Sequence, residues 1–290
     1  MAEQPRTRYQ PFPAIVRWPR VPIDRRRWEE LVSRLARQRQ DASERARSHV
    51  PQAALRAATL DPARAAADDP SDPATAATQA SWRQAFASKG LPGVQALYEA
   101  ELRAHELVAG AAAADTPLTE DLLLRVHEEL VASHEQYPVR YGDDVVLEDV
   151  PPGQYKIYEN FGVLSDGRLR SYCPPELVAS EVARLAANAA ADEFATAHPV
   201  LQSAYLLTAV DAIHPFADGN GRAARAIASM PLYRSVGLPL VVTPRSRGDY
   251  LAGLEQVPRD DGRAVVEFVF RRGVEAMTLA FDALATSALS

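Results

Sequence analysis

Residues 213–225 read Ile-His-Pro-Phe-Ala-Asp-Gly-Asn-Gly-Arg-Ala-Ala-Arg, the stretch that most narrows what this chain can fold into. Leu201, Ala204, Tyr205, Thr208 and Ala212 recur at helical spacing before it, which predicts a helix ending near Ile213. Pro215 lacks a backbone donor and biases its predecessor away from helix. Gly219 and Gly221 can adopt backbone angles closed to other residues. A second helical pattern begins at Arg222. The segment therefore reads as a helix, a tight loop and a helix start.

That arrangement has a chemistry. A helix N-terminus preceded by glycines presents free N–H groups and the positive end of the helix dipole, so it suits an anion. Arg222 and Arg225 are three apart and share a helix face. Asp218 is a hard oxygen ligand of the kind Mg²⁺ takes alongside phosphate oxygens. The Asn220 side chain can donate to a phosphate. His214, with an ordinary pKa of about 6.5, can serve as a neutral base near pH 7. A phosphate cradle, a metal ligand and a base together suggest attack at phosphorus. Each residue alone would read as part of an ordinary Asp-Gly-Asn-Gly turn; the combination carries the argument.

The run from His214 to Arg222 resembles the signature of the Fic family, His-Pro-Phe-x-Asp/Glu-Gly-Asn-Gly/Lys-Arg, at every fixed position. Arg225 matches the second arginine often found after it. A weaker resemblance extends over roughly residues 95 to 270. It implies an all-α helical bundle of Fic type with a small β-hairpin flap. It also implies Mg²⁺-dependent transfer of AMP from ATP to a Tyr, Thr or Ser hydroxyl of a target protein, releasing pyrophosphate. On that reading His214 is the general base and Asp218 binds Mg²⁺. Gly219, Asn220, Gly221, Arg222 and Arg225 hold the phosphates, Phe216 points inward to anchor the loop, and Tyr250 walls the nucleotide base pocket. Other members of the family transfer a γ-phosphate, or use nucleotides such as CDP-choline. The phosphate-transferring branch typically carries Lys where this chain has Gly221. A non-catalytic nucleotide-binding module is a further alternative, against which the intact His214 argues.

Composition narrows the setting. The 290 residues are 47% apolar and 24% charged, and suit one large domain or a domain with an extension. The net charge of −6 offers no basic surplus for nucleic acid. No apolar run reaches the length of a membrane span, and no leader pattern opens the chain, so a cytoplasmic protein is expected. The single cysteine, Cys173, rules out an intrachain disulfide and reads as a packed small residue.

The chain divides into an N-terminal arm and helical extension over 1–90 and a catalytic-type domain over 91–290. Residues 1–23 are rich in proline and aromatics and read as an extended arm. Asp24 can cap a helix through Trp28, Leu31, Val32 and Leu35, whose outer face is dense in arginine. Residues 51–80 read as short helical pieces or a linker, with a helix restarting around Trp82 and Phe86 and broken at Leu91-Pro-Gly93. Val94, Leu97, Tyr98, Leu102 and His105 recur at helical spacing. Thr116 to Glu120 reads as a helix start, with Pro117 in the first turn and a buried stripe of Leu123, Val126 and Leu130. His127 and His134 lack the spacing of a helical zinc pair and read as structural. Over residues 137–173, β-formers and the Ser165-Asp166-Gly167 turn predict the hairpin. In the family this flap lies over the active site and aligns the target segment by strand addition. Pro231 predicts a kink or early end of the signature helix.

Many Fic proteins carry an inhibitory helix of pattern Ser/Thr-x-x-x-Glu-Gly/Asn, whose glutamate pairs with the second signature arginine. Thr116 to Glu120 has the spacing but is followed by Asp121, and Pro92 stands at the glutamate position of Ser88 to Gly93. The pattern is thus not matched, and Arg225 is expected to be free. A separate inhibitory partner protein, docking on the arginine-rich helix, or homo-oligomerisation stays open as a source of restraint.

Overall fold

The computed structural model describes residues 6–18, 21–44, 49–56, 95–132, 136–141, 144–260 and 262–287. The expected linker beyond residue 56, the helix around Trp82 and Phe86, the break at Leu91-Pro-Gly93, the Ser88–Gly93 candidate and His134 lie outside the described residues. The helices are α1 (Arg25–Asp41), α2 (49–56), α3 (95–113), α4 (Glu120–Val131), α5 (Pro175–Ala189), α6 (Asp192–Ala195), α7 (Pro199–Ile213), α8 (Asn220–Val236), α9 (Arg247–Asp260) and α10 (Arg263–Ser287). Short strands complete the fold: β1 (Arg6–Thr7), β2 (Gln136–Tyr141), β3 (Asp144–Asp149), β4 (Phe161–Val163) and β5 (Leu169–Ser171). The all-α expectation with a small hairpin therefore holds. Among the described residues no helix is long and apolar enough to cross a membrane.

The centre of the bundle is α7, and its sequence says why. Leu206, Leu207, Ala209 and Val210 follow one another without a polar face, and nearly every residue of the helix is buried. A helix apolar all round has to be surrounded. α8 packs along it most extensively, with α10 and α5 on other sides, and α4 lies against α8. Pro199 opens α7 at the first turn, and the His198 side chain caps it by accepting from Val200 N.

Helix ends follow local chemistry with two exceptions. Asp24 caps α1 by accepting from Arg27 N at 3.0 Å, as expected. At α4 the cap is Thr119, whose Oγ1 accepts from Leu122 N, so Pro117 precedes the helix instead of sitting in its first turn. Pro231 does not end α8, which runs on to Val236. Its missing N–H removes one intrahelical bond, and the burial of Ile227, Ala228, Met230 and Leu232 outweighs that loss.

The N-terminal arm is laid across the core. Phe12 and Trp18 meet edge to face at 5.5 Å, and both rest on Tyr205 of α7. Tyr205 donates to Pro13 O, and Arg184 to Phe12 O. β1 adds in parallel to β5, giving the sheet order β1-β5-β4. β4 and β5 form the expected hairpin, with Gly167 at positive φ in its turn. A second antiparallel hairpin, β2–β3, was not anticipated; its sequence signal is the apolar residues on either side of Gly142-Asp143.

Candidate active site

The loop between α7 and α8 is built by four local devices. His214 ends α7 in the left-handed region (φ 50°), and its N–H still bonds Val210 O. Gly219 stands before α8 at φ +79°, where a Cβ would come within 3.0 Å of Val131 and 3.3 Å of His127. Gly221 takes no unusual backbone angle; a Cβ there would meet only Arg225, at 3.5 Å. Its lack of a side chain keeps the start of α8 open ahead of the first turn's bonds, which begin with Arg222 N to Gly219 O at 3.1 Å. Asn220 closes the loop, with Oδ1 accepting from Phe216 N and Nδ2 donating to Phe216 O. Its buried amide therefore shapes the loop, where the sequence had suggested a phosphate donor.

Phe216 points inward, as expected, and stacks on His127 of α4 with ring centres 3.7 Å apart. His127 Nδ1 accepts from Gly153 N, so the ring proton sits on Nε2 and is donated to the Asp218 carbonyl at 3.0 Å. Reading His127 as structural was right in kind and missed its place, since it is the residue on which the signature loop rests. Its spacing from the loop in sequence carries no signal; only the buried phase of α4 could have hinted at it.

His214 Nδ1 lies 3.2 Å from Asp211 O, one α-turn earlier, and donating there leaves Nε2 bare. Tyr172, just after β5, stacks on the imidazole at 3.7 Å. Burial pushes the His214 pKa down to about 3, with the positive charges of Lys156 and Arg170 adding to it and the Asp211 carbonyl opposing. The imidazole is neutral at pH 7, the form a base requires. Lys156 is itself buried, which pulls its pKa down to about 8, and its Nζ donates to Asn160 Oδ1. Asn160 Nδ2 in turn donates to Phe216 O, and Lys156 N to Pro215 O, so the segment before the flap is stitched to the loop.

The two arginines diverge. Arg222 Nη1 donates to Leu130 O at 2.6 Å, and burial lowers its pKa. Arg225 pairs with Glu101 of α3 at 3.6 Å, and its positive charge acts on the nearby Tyr250 side chain. The expectation that Arg225 is free is thus corrected: a carboxylate from a distant helix faces it. Tyr250, on α9, is buried against Phe268 behind that arginine. Asp218 is partly exposed at the loop's rim. No group of three or more His, Cys, Asp or Glu side chains that could hold a metal occurs among the described residues.

Comparison with known proteins agrees with this geometry. The Fic/DOC family model matches residues 117–232. The protein adenylyltransferase fic-1 of Caenorhabditis elegans is 24% identical over 154 residues, covering 50% of this chain and 30% of that protein. The protein adenylyltransferase Fic of Nematostella vectensis is 28% identical over 157 residues, covering 53% and 32%. The matches span about a third of these relatives' length. A Fic-domain-containing signalling protein from Bacteroides thetaiotaomicron superposes with a TM-score of 0.64 at 18% identity, over 90% of this chain and 98% of that one. A Fic family protein from Desulfovibrio desulfuricans gives 0.56 at 23%, over 97% and 77%. The matched residues take in α4, the flap, α7 and most of α8, and over that stretch the chain is similar to the Fic/DOC family.

Proposed function

We propose that this chain transfers AMP from ATP to a hydroxyl side chain of a target protein, with Mg²⁺, and releases pyrophosphate. The observation that supports it best is the neutral His214, its Nδ1 held on Asp211 O and its Nε2 bare, beside the open N-terminus of α8. The adenylyltransferase names of the relatives point the same way.

In this reading Nε2 of His214 takes the proton from the acceptor hydroxyl. The hydroxyl oxygen forms a bond to the α-phosphorus as the bond to the pyrophosphate oxygen breaks. The first N–H groups of α8, with Arg222 and Arg225, stabilise the charge that develops on the phosphates. Asn220 and Phe216 hold the loop that presents those groups, and Tyr250 lines the base end of the site beside Arg225. The donor set fits Mg²⁺, since one rim carboxylate, Asp218, suits a cation that takes its other ligands from water and phosphate. Such a cation supplies neutralisation of the phosphate charge. His127, by holding the Asp218 carbonyl, keeps that residue at the rim.

The test is to incubate the purified chain with candidate target proteins and ATP and to weigh the products. A gain of one AMP supports the reading. A gain of one phosphate moves the chain to phosphoryl transfer, and no change with any nucleotide leaves a binding module.

A further inference from the structure

We propose that Arg170 on β5 and Tyr172, the first residue past that strand, are positioning residues that clamp the His214 imidazole from the flap. The proposal rests on His214 being the base. The four residues form a closed ring of contacts. Arg170 Nη1 stands 3.0 Å from Asp211 Oδ2, an ion pair between the flap and the last turn of α7. Arg170 also lies over the Tyr172 ring, 5.2 Å from its centre. Tyr172 stacks on His214 with only 14° between the planes. His214 returns to Asp211 through the Nδ1 contact to its carbonyl.

Asp211 is the hinge of this arrangement. One residue holds the imidazole with its carbonyl and the flap with its carboxylate. The carboxylate is buried, and its Oδ2 has no well-aligned hydrogen-bond donor, so Arg170 is the charge that compensates it. An uncompensated carboxylate in such a place is costly, which makes the pair hard to open. Tyr172 lies two residues beyond Arg170 and directly after β5, so holding Arg170 limits where Tyr172 can go. β5 is held between β4 on one edge and β1 on the other, and Thr7 is the parallel partner of Arg170. The strand that carries the clamp is therefore braced by the N-terminal arm.

A face-to-face ring contact and a single carbonyl bond leave the imidazole one orientation and one tautomer. Nδ1 keeps its proton and Nε2 stays ready to accept one. Without Tyr172 the ring gains the freedom to rotate away from Asp211 O and to shift its proton between nitrogens. The neighbouring charges that face it, Lys156, Arg170 and Asp211, would then act on a ring of no fixed direction.

The experiment uses the full chain with ¹⁵N-labelled histidine. Ring-nitrogen NMR reports the His214 tautomer without any turnover, with the His214 signals identified by their loss in His214→Gln. Transfer kinetics are measured on the same samples. In the wild type and Tyr172→Phe, which keeps the stacked ring, the Nδ1–H tautomer should dominate. In Tyr172→Ala the ring should show both tautomers, and kcat should fall on the order of 10²-fold with KM for ATP within about twofold. Arg170→Gln should move both readouts the same way by a smaller amount. If Tyr172→Ala fails to fold, judged by circular dichroism, Arg170→Gln carries the test. A folded Tyr172→Ala, or failing that Arg170→Gln, with the wild-type tautomer and kcat overturns the clamp. If the wild type transfers nothing from any nucleotide, the base reading fails, and the ring spectra alone decide the clamp.

Discussion

Glu101 Oε1 of α3 stands 3.6 Å from Nη2 of Arg225 in α8, and both side chains are mostly buried. Leu97 and Leu102 occupy the places where the inhibitory pattern of the family has its hydroxyl residue and its Gly or Asn, so the pair was invisible as a motif. A carboxylate there competes with phosphate for the arginine. Replacing Glu101 with Gln is expected to raise self-modification with labelled ATP about fivefold, the factor that corresponds to an ion pair worth about 1 kcal/mol. An unchanged or lower rate would show that Glu101 supports the site instead of restraining it.

His214→Ala should abolish transfer and leave ATP affinity within about twofold, because the phosphates are held by α8 and its arginines. Loss of a general base typically costs about 10²- to 10⁴-fold in rate. Wild-type turnover in this variant would refute the proposed chemistry.

Asp218→Ala should weaken Mg²⁺ binding to the ATP-loaded chain along with activity. Titration of the cation, followed by calorimetry, reads this directly. Equal affinity in variant and wild type would remove Asp218 as the ligand.

His127→Ala should destabilise the fold more than any signature-loop substitution. It deletes the ring stacked on Phe216 and leaves the Asp218 carbonyl and the Gly153 N–H without their partner. A buried ring with two hydrogen bonds suggests a loss of about 3 kcal/mol. Urea denaturation monitored by tryptophan fluorescence checks it, and an unmoved midpoint would mean that the loop stands without α4.

Acid should unfold the protein earlier than its carboxylates alone require. Burial holds His105 and His198 at about 4 and His214 at about 3, all below the ordinary 6.5. For a depressed histidine the unfolded chain binds more protons. The stabilisation is therefore fully present above about pH 6.5 and is lost as pH falls towards the folded-state values. The buried His105 contributes up to about 1.4 kcal/mol per pH unit in that window, and the partly exposed His198 and His214 less. Urea midpoints measured from pH 7 to 4 should decline throughout, and the decline should shrink in His105→Gln.

Local chemistry was legible because its partners lie within a few residues. The end of α7 at Ile213, the cap at Asp24 and the turn at Ser165-Asp166-Gly167 all follow from side chains acting on their own backbone or on a near neighbour. The same reasoning erred where two local signals competed, placing Pro117 inside α4 although Thr119 is the cap, and allowing an early end at Pro231 in a helix that its burial carries on to Val236. What only the tertiary structure decided is which distant groups meet. His127 reaches Asp218 across 91 residues, Glu101 meets Arg225 from another helix, and Tyr172 covers His214 from the end of the flap. Helical or strand periodicity says which face of an element is buried. It does not say which face of which neighbour it will touch, because that depends on how α4, α3 and the flap pack around α7 and α8.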